Sequence, residues 1–318
     1  MSVPGPSSLV LTASVARRYY LDGRSKIEIA EEFGLSRFKV ARLIDTARST
    51  GLVRIEFHFP GELDLDLSSR LQTAFGLRHS VVVDSPEDDP EVLRQHLGRA
   101  AADLLSEVVT AEDVLGLAWA RSLMAMRTAL TSLAPCEVVQ LTGALSRPDV
   151  DESAIELVRD VARKGNGPAF FFYAPMILPD AATAAVLRRQ LEIERAMKRY
   201  PRVTVAVVGV GSWEPRHSTV VDALTPAERR EIRALGVRAE LSGIQIDEQG
   251  DPVATPLTDR TIGITAEQLR AVPDVVGIVY DSSKAAAVRA ALRGGYLKSL
   301  VTHASMAREL LAGADDPR

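Results

Sequence analysis

Apolar positions in the first 60 residues recur mostly at helical spacing. Over residues 9–21 they are Leu11, Val15, Tyr19 and Tyr20, and Asp22-Gly23 stops the run. Ser25, with Glu28 three residues on, has the form of a capping box. The helix it predicts carries Ile27, Ile29, Ala30 and Phe33 and ends at Gly34. Ser36 caps a third helix from Arg37 to about Thr50, with Val40, Leu43, Ile44 and Ala47 inward and Gly51 at its close. The next residues, VRIEFHF at 53–59, alternate with period two and predict a strand or wing, broken by Pro60-Gly61. Residues 1–8, rich in Pro, Gly and Ser, predict a frayed end.

Beyond a connecting stretch at 62–77 that leads into a helix, the pattern changes to short apolar runs alternating with amphipathic ones. Strands are expected at 80–84, 114–119, 137–142, 203–211, 275–281 and 299–302. Helices are expected at 90–109, 121–133, 151–164, 180–199, 225–235, 265–271, 283–293 and 303–312. Runs such as VTVAVVGVG are apolar on both faces, as strands covered by helices on each side must be. The alternation predicts an α/β fold with a Rossmann-like, mostly parallel sheet and right-handed crossovers. Ligands of such sheets bind beyond the carboxyl ends of the strands. The expected domains are a helix-turn-helix head at 1–58 and a body at 59–318, in line with a prior of about 150 residues per domain.

Composition narrows the function. The 318 residues are 46% hydrophobic and 25% charged, enough for a sizeable core. No apolar run reaches the roughly 18 residues of a bilayer span, and the N-terminus is a poor secretory signal, so a cytoplasmic protein is expected. A single cysteine, Cys136, excludes an internal disulfide framework and a multi-cysteine zinc site. The net charge of −4 argues against a protein that coats nucleic acid along its whole surface. That charge is unevenly placed: residues 1–60 carry nine Lys or Arg and six acids, leaving the rest at −7. Only the basic head is suited to a polyanion.

In the head, residues 25–48 have the spacing of a helix-turn-helix, with small Ala30 at the helix crossing and Gly34 in the turn. The start of the second helix enters the major groove in this motif, which puts Ser36, Arg37, Phe38, Lys39 and Arg42 at the DNA. Ser25 and Lys26 open the preceding helix, where amides and a cation suit phosphate. The alternative is a three-helix packing element with solvated charges.

In the body, phosphate-loop, HExxH, GxSxG and CxxC motifs are all absent, and the five histidines lack metal-ligand spacing, so no metal and no cofactor is expected. Gly209 and Gly211 follow a buried strand, where they either admit a ligand to the backbone or simply make a tight turn. Ala120, Arg121 and Ser122 open a helix after a strand and can hold a phosphate, or be an ordinary helix start. Lys284, after YDSS, is a candidate anion partner or a solvated lysine.

The head segment GLSRFKVARLIDTARSTGLVRIEF and the body blocks VLGLAWARSL, VVQLTGALS, VAVVGVGSW, GVRAELSGIQIDEQGDPV, TPLTDRTIGITAEQL and KAAAVRAALRGGYLKSLVTHASMARELL stand in an order and spacing that resembles the SorC family of sugar-binding transcriptional regulators. The resemblance implies a body with the fold of ribose-5-phosphate isomerase and glucosamine-phosphate deaminase, used as a sensor. It implies a sugar or sugar-phosphate effector and homo-oligomers, dimers or tetramers. By position, the family's phosphate loop falls on Ala120, Arg121 and Ser122, and its strand-end loop on Gln140, Thr142 and Gly143. The turn through Gly209, Gly211 and Ser212 lies beside the pocket, the hydroxyl-binding acid falls on Glu240, and the pocket lysine on Lys284. The chain departs from the family at Ala120, at Tyr280-Asp281 where a Gly-Gly is usual, at His303 where an Asp is usual, and at Glu240, one methylene longer than the usual Asp. An added carboxylate at Asp281 would repel a phosphate if it faced the pocket.

The expected function is a DNA-binding regulator, a repressor of a carbohydrate-metabolism operon, controlled by that effector and without enzyme activity. The rival is a phosphosugar isomerase or deaminase fused to a DNA-binding head, with Glu240, Asp281 and Lys284 as its titratable groups. A DNA-bound oligomer with a vestigial pocket is a third reading.

Overall fold

The computed structural model describes residues 5–54, 63–84, 89–145, 154–214 and 217–313. They form two compact units, Met1–Gly61 and Glu62–Arg318.

The first unit is three helices, α1 (Pro6–Tyr20), α2 (Lys26–Phe33) and α3 (Arg37–Ser49). They close on Val15, Ile29, Ala30, Val40 and Ile44, with Leu11, Tyr19, Tyr20, Phe33, Leu35 and Leu43 packed around them. The capping box forms: the Glu28 amide donates to Ser25 Oγ, and the Ser25 amide to the Glu28 carboxylate. Gly34 ends α2 at φ +65°, a conformation that costs a Cβ-bearing residue about 1 kcal/mol or more and turns the chain into α3. Two expectations change here. Pro6 stands in the first turn of α1, where its missing N–H costs nothing, so helix begins where fraying was expected. Val53 and Arg54 are not in a strand, and the rest of the expected wing, 55–59, lies outside the described residues.

The second unit is a three-layer α/β structure. Its strands are β1 (His79–Val83), β2 (Val114–Leu117), β3 (Glu137–Gln140), β4 (Ala169–Phe170), β5 (Val205–Val208), β6 (Gly211–Ser212), β7 (Ala239–Leu241), β8 (Ile244–Ile246), β9 (Asp274–Ile278) and β10 (Ser299–His303). Seven of them make one sheet in the order β1-β10-β9-β5-β2-β3-β4, parallel throughout. The short β6, β7 and β8 form a separate antiparallel sheet.

The helices of this unit are α4 (Leu65–Phe75), α5 (Pro90–Val108), α6 (Arg121–Ala129), α7 (Ala154–Gly165), α8 (Ala181–Leu187), α9 (Leu191–Met197), α10 (Thr219–Asp222), α11 (Pro226–Ala234), α12 (Ala266–Ala271), α13 (Ala285–Arg293) and α14 (Ala304–Ala312). Successive side chains of a strand point to opposite faces. Val205 and Val207 of β5 therefore pack with α5, α6 and α7, while Ala206 and Val208 pack with α4, α9, α12, α13 and α14. Fully burying a Val or Leu side chain is worth about 1.5–3 kcal/mol, so this two-sided burial explains why the strands are apolar runs. A third cluster, Met176, Trp213, Val220, Val221, Leu224, Ile232, Val237 and Leu257, packs around α10 and α11.

The order of the large sheet positions the site. From β2 the chain moves outward through β3 to β4, then returns to place β5 on the other side of β2 and continues through β9 to β10. Strand order thus reverses between β2 and β5, and a crevice opens there beyond the carboxyl ends. No described helix is long and apolar enough to cross a membrane.

Candidate functional site

In the first unit, Ser36 caps α3 by accepting from the Lys39 amide at 3.2 Å, which fixes the first turn of α3. Arg37, Phe38, Lys39 and Arg42 are all exposed, and Phe38 is 82% exposed. The cations of this unit fall into two classes. Arg18 pairs with Asp22 and Glu32, each at 2.8 Å, and Arg24 pairs with Glu32 at 3.2 Å. Lys26 Nζ sits 5.6 Å from the Tyr19 ring centroid. Arg37, Lys39 and Arg42 have no acid partner among the described residues. Three cations without an acid partner among the described residues thus stand together at the start of α3. The Ser25 hydroxyl accepts within its capping box and keeps its own proton to donate.

In the second unit, a pocket open to solvent lies at the strand reversal. Its walls are the segments that follow β2 (118–122), β3 (142, 143 and 145), β5 (209–211) and β9 (279, 280 and 284), closed by Met176, 217–220, Glu240 and Ser242. Of the residues singled out from sequence, Ala120, Arg121, Ser122, Thr142, Gly143, Gly209, Gly211, Glu240 and Lys284 come together there. Gln140, Ser212 and Asp281 are not among the lining residues. Gln140 is fully buried, donates to the Thr142 carbonyl at 2.7 Å and accepts from the Phe172 amide at 3.1 Å, so it braces the β3 loop from behind.

No side chain caps the start of α6, where Ala120, Arg121 and Ser122 face the cavity. A helix start offers amide donors and a partial positive charge to an anion. Ser122 is 2% exposed and its hydroxyl donates to the Ile278 carbonyl at 3.1 Å, tying α6 to the end of β9. Opposite stands Glu240. Its Oε1 accepts from the Ser218 hydroxyl at 2.8 Å and its Oε2 from the Gly243 amide at 3.2 Å. Burial pushes the Glu240 carboxyl up; the Ser218 and Gly243 bonds and Lys284 pull the other way and only partly offset it. The Lys284 ammonium lies 5.2 Å from the Tyr280 ring centroid, with the Arg94 guanidinium 5.4 Å from the same ring.

The two glycines are close-approach positions. A Cβ on Gly211 would come within 2.4 Å of Glu240 Oε1, and one on Gly209 within 2.8 Å of the Ala120 Cβ. Asp281 stands beside the cavity at φ +79°, a region foreign to most side chains. Burial pushes its carboxyl up, but bonds from the Ser283 hydroxyl and amide, with His217 and Lys284, outweigh this and hold it below the usual value. His217 links the two sides, with Nδ1 3.2 Å from Ser212 Oγ and Nε2 3.8 Å from Asp281 Oδ2. His303, at the end of β10, is outside the lining; burial pushes its imidazole down.

Among the lining residues that the sequence does not single out are His217, Ser218 and Ser242. Ser218 is legible only as the cap of α10. Ser242 turns the chain from β7 to β8 at φ +53°, and its buried Oγ has no hydrogen-bond partner among the described residues. Among those residues no group of three or more His, Cys, Asp or Glu could hold a metal ion. Burial pushes the Cys136 thiol up to about 11, which leaves it an unreactive core group.

Residues 60–312 match the family described as "Putative sugar-binding domain". The transcriptional regulator YjhU of Escherichia coli K12, itself uncharacterized, is 29% identical over 303 residues, 92% of each chain. The deoxyribonucleoside regulator of Bacillus subtilis strain 168 is 28% identical over 306 residues, 95% of this chain and 97% of its own. The full-length sorbitol operon regulator SorC of Klebsiella pneumoniae superposes with a TM-score of 0.73 at 22% identity, over 96% of this chain and 99% of its own. With a helix-turn-helix unit ahead of a parallel α/β unit whose sequence matches through residue 312, the chain belongs to the SorC family of sugar-binding transcriptional regulators.

Proposed function

We propose that this regulator binds operator DNA through the start of α3 and is controlled by a sugar or sugar phosphate held in the cavity at the strand reversal. The observation that carries this reading is the chemical asymmetry of the cavity. One wall is the uncapped start of α6 with Arg121, suited to a phosphate; the other holds the buried Glu240 carboxyl, suited to sugar hydroxyls. Ser242 Oγ adds a polar group that an effector hydroxyl would satisfy. Lys284 lies among the lining residues as a second cation for an anionic group. The glycines at 209 and 211 support a packing role, since each lies against a neighbouring side chain.

A single head has a small footprint, so two heads on a homo-oligomer would read two half-sites. The effector changes operator affinity to the extent that it binds the DNA-competent and DNA-incompetent forms unequally. Release of a repressor by its effector, in the cytoplasm and without turnover, is the arrangement we favour. The names of the relatives, all of them regulators, support a sensor rather than an isomerase or deaminase.

The test is fluorescence anisotropy of the full chain on DNA from upstream of its own gene, with sugars and sugar phosphates titrated in at fixed salt. One compound should release or tighten the complex, and affinity should fall steeply with salt. DNA binding indifferent to every compound would leave the head assignment standing and remove the sensor. Turnover of a phosphosugar, lost in Glu240→Gln, would establish the enzyme instead.

A further inference from the structure

Phe38 is the most exposed large hydrophobic residue described, at 82%. It stands in the first turn of α3, fixed by the Ser36 cap, while Val40 and Ile44 of the same helix are buried in the three-helix core. The core does not use the ring. Its surroundings say what can cover it. Arg37 and Lys39 flank it in sequence, and Arg42 lies four residues on, on the same side of the helix. These cations have no acid partner among the described residues, whereas Arg18 and Arg24 do. An exposed ring on a helix turn shared with uncompensated cations is matched by a polyanion with an apolar feature within reach.

We infer that Phe38 reads thymine through its C5-methyl group. A phenyl ring has no donor or acceptor, so it cannot read the hydrogen-bonding edges of bases. In the major groove the thymine methyl is the one apolar group that a base pair presents, and Phe is among the side chains that contact it. Arg37, Lys39 and Arg42 supply the phosphate and base-edge contacts that hold α3 in place. This inference rests on the DNA-reading function proposed above and adds to it one base and the side chain that chooses it.

The experiment selects duplexes from a randomised DNA library with the full-length chain. Each thymine of the selected duplex is then replaced by deoxyuridine, one at a time, which deletes only the methyl group. Anisotropy at fixed salt is read for the unmodified chain and for Phe38→Ala. One thymine per half-site is expected at which deoxyuridine weakens the unmodified chain roughly fourfold, the loss of one buried methyl. At that position Phe38→Ala should bind the two duplexes equally. Phe38→Leu, still apolar, should retain part of the difference.

Equal responses of the two chains at every thymine would overturn the inference. So would a change of oligomeric state in Phe38→Ala by sedimentation, because the ring would then lie in a contact between copies. Failure of the unmodified chain to select any duplex would remove the DNA-reading function itself, a result distinct from both.

Discussion

The Ser218 hydroxyl donates to Glu240 Oε1 at 2.8 Å while accepting from the amides of Val220 and Val221, so one side chain both caps α10 and holds the cavity's buried acid. Gly211 lies directly against this pair. Gly211→Ala would force its methyl group to within 2.4 Å of Oε1 and 2.6 Å of the Ser218 Cβ. Overpacking of this kind costs about 1–3 kcal/mol. The expected outcome is a lower melting temperature and loss of the effector response, with operator affinity retained at temperatures where the variant is folded.

Glu240 gives the protein a pH signature. Its carboxyl is raised from an ordinary value of 4.5, first by burial. Between 4.5 and that raised value the folded chain holds more protons than the unfolded chain, so this residue's contribution to stability falls as pH rises. Glu240→Gln cannot ionise. It gives up one acceptor, a loss of about 1 kcal/mol at low pH. Its stability relative to the unmodified chain should improve as pH rises above the ordinary carboxyl value of 4.5. Urea unfolding of both chains at several pH values measures this, and a constant difference would contradict it.

Ser242→Ala deletes a buried hydroxyl that bonds to nothing among the described residues. Stability should change by less than about 0.5 kcal/mol, because no native bond is lost and alanine is no worse than serine at φ +53°. Effector affinity should fall by about threefold to tenfold, the worth of one hydrogen bond. Calorimetric titration with whichever sugar or sugar phosphate acts on the operator complex separates this from a variant that has merely lost its shape.

Arg42→Ala and Arg18→Ala should behave oppositely. Arg42 has no acid partner among the described residues, so its loss should leave the melting temperature in place and weaken specific operator binding by about tenfold to a hundredfold. Arg18 is engaged with Asp22 and Glu32. Its loss should lower the melting temperature slightly, since solvent screens these pairs, and leave the DNA contacts alone. Parallel melting and anisotropy measurements on the two variants decide the matter.

The large strands were legible because burial on both faces leaves a long apolar signature, as in the VTVAVVGVG run around β5. β4 and β6 were not, because two residues carry no period, and β7 and β8 are only three residues each. The single helix expected at 180–199 is two, α8 and α9, separated by 188–190, where the helical turns tighten and end without a glycine or proline to mark the break. Residues of the site that sit at strand ends, such as Ser122 and Gly209, could be read from position. Ser218 and Ser242 could not, because they reach the cavity from connections to the small antiparallel sheet, and nothing local ties them to the parallel one. Asp281 is instructive in the other direction. The family resemblance places glycine there, and the backbone keeps a glycine-like φ of +79° although the residue is aspartate, held by its bonds from Ser283.

The cavity walls come from segments that start at 118 and end at 284, so an effector touching all of them would stitch together parts of the chain separated by more than half its length. A molecule bound only by the folded chain adds RT ln(1 + [L]/Kd), about 2.7 kcal/mol at a hundredfold excess over Kd. Proteolysis acts on opened chains, whose population falls by the same factor. The effector would then set how long the regulator withstands proteolysis as well as whether it sits on its operator.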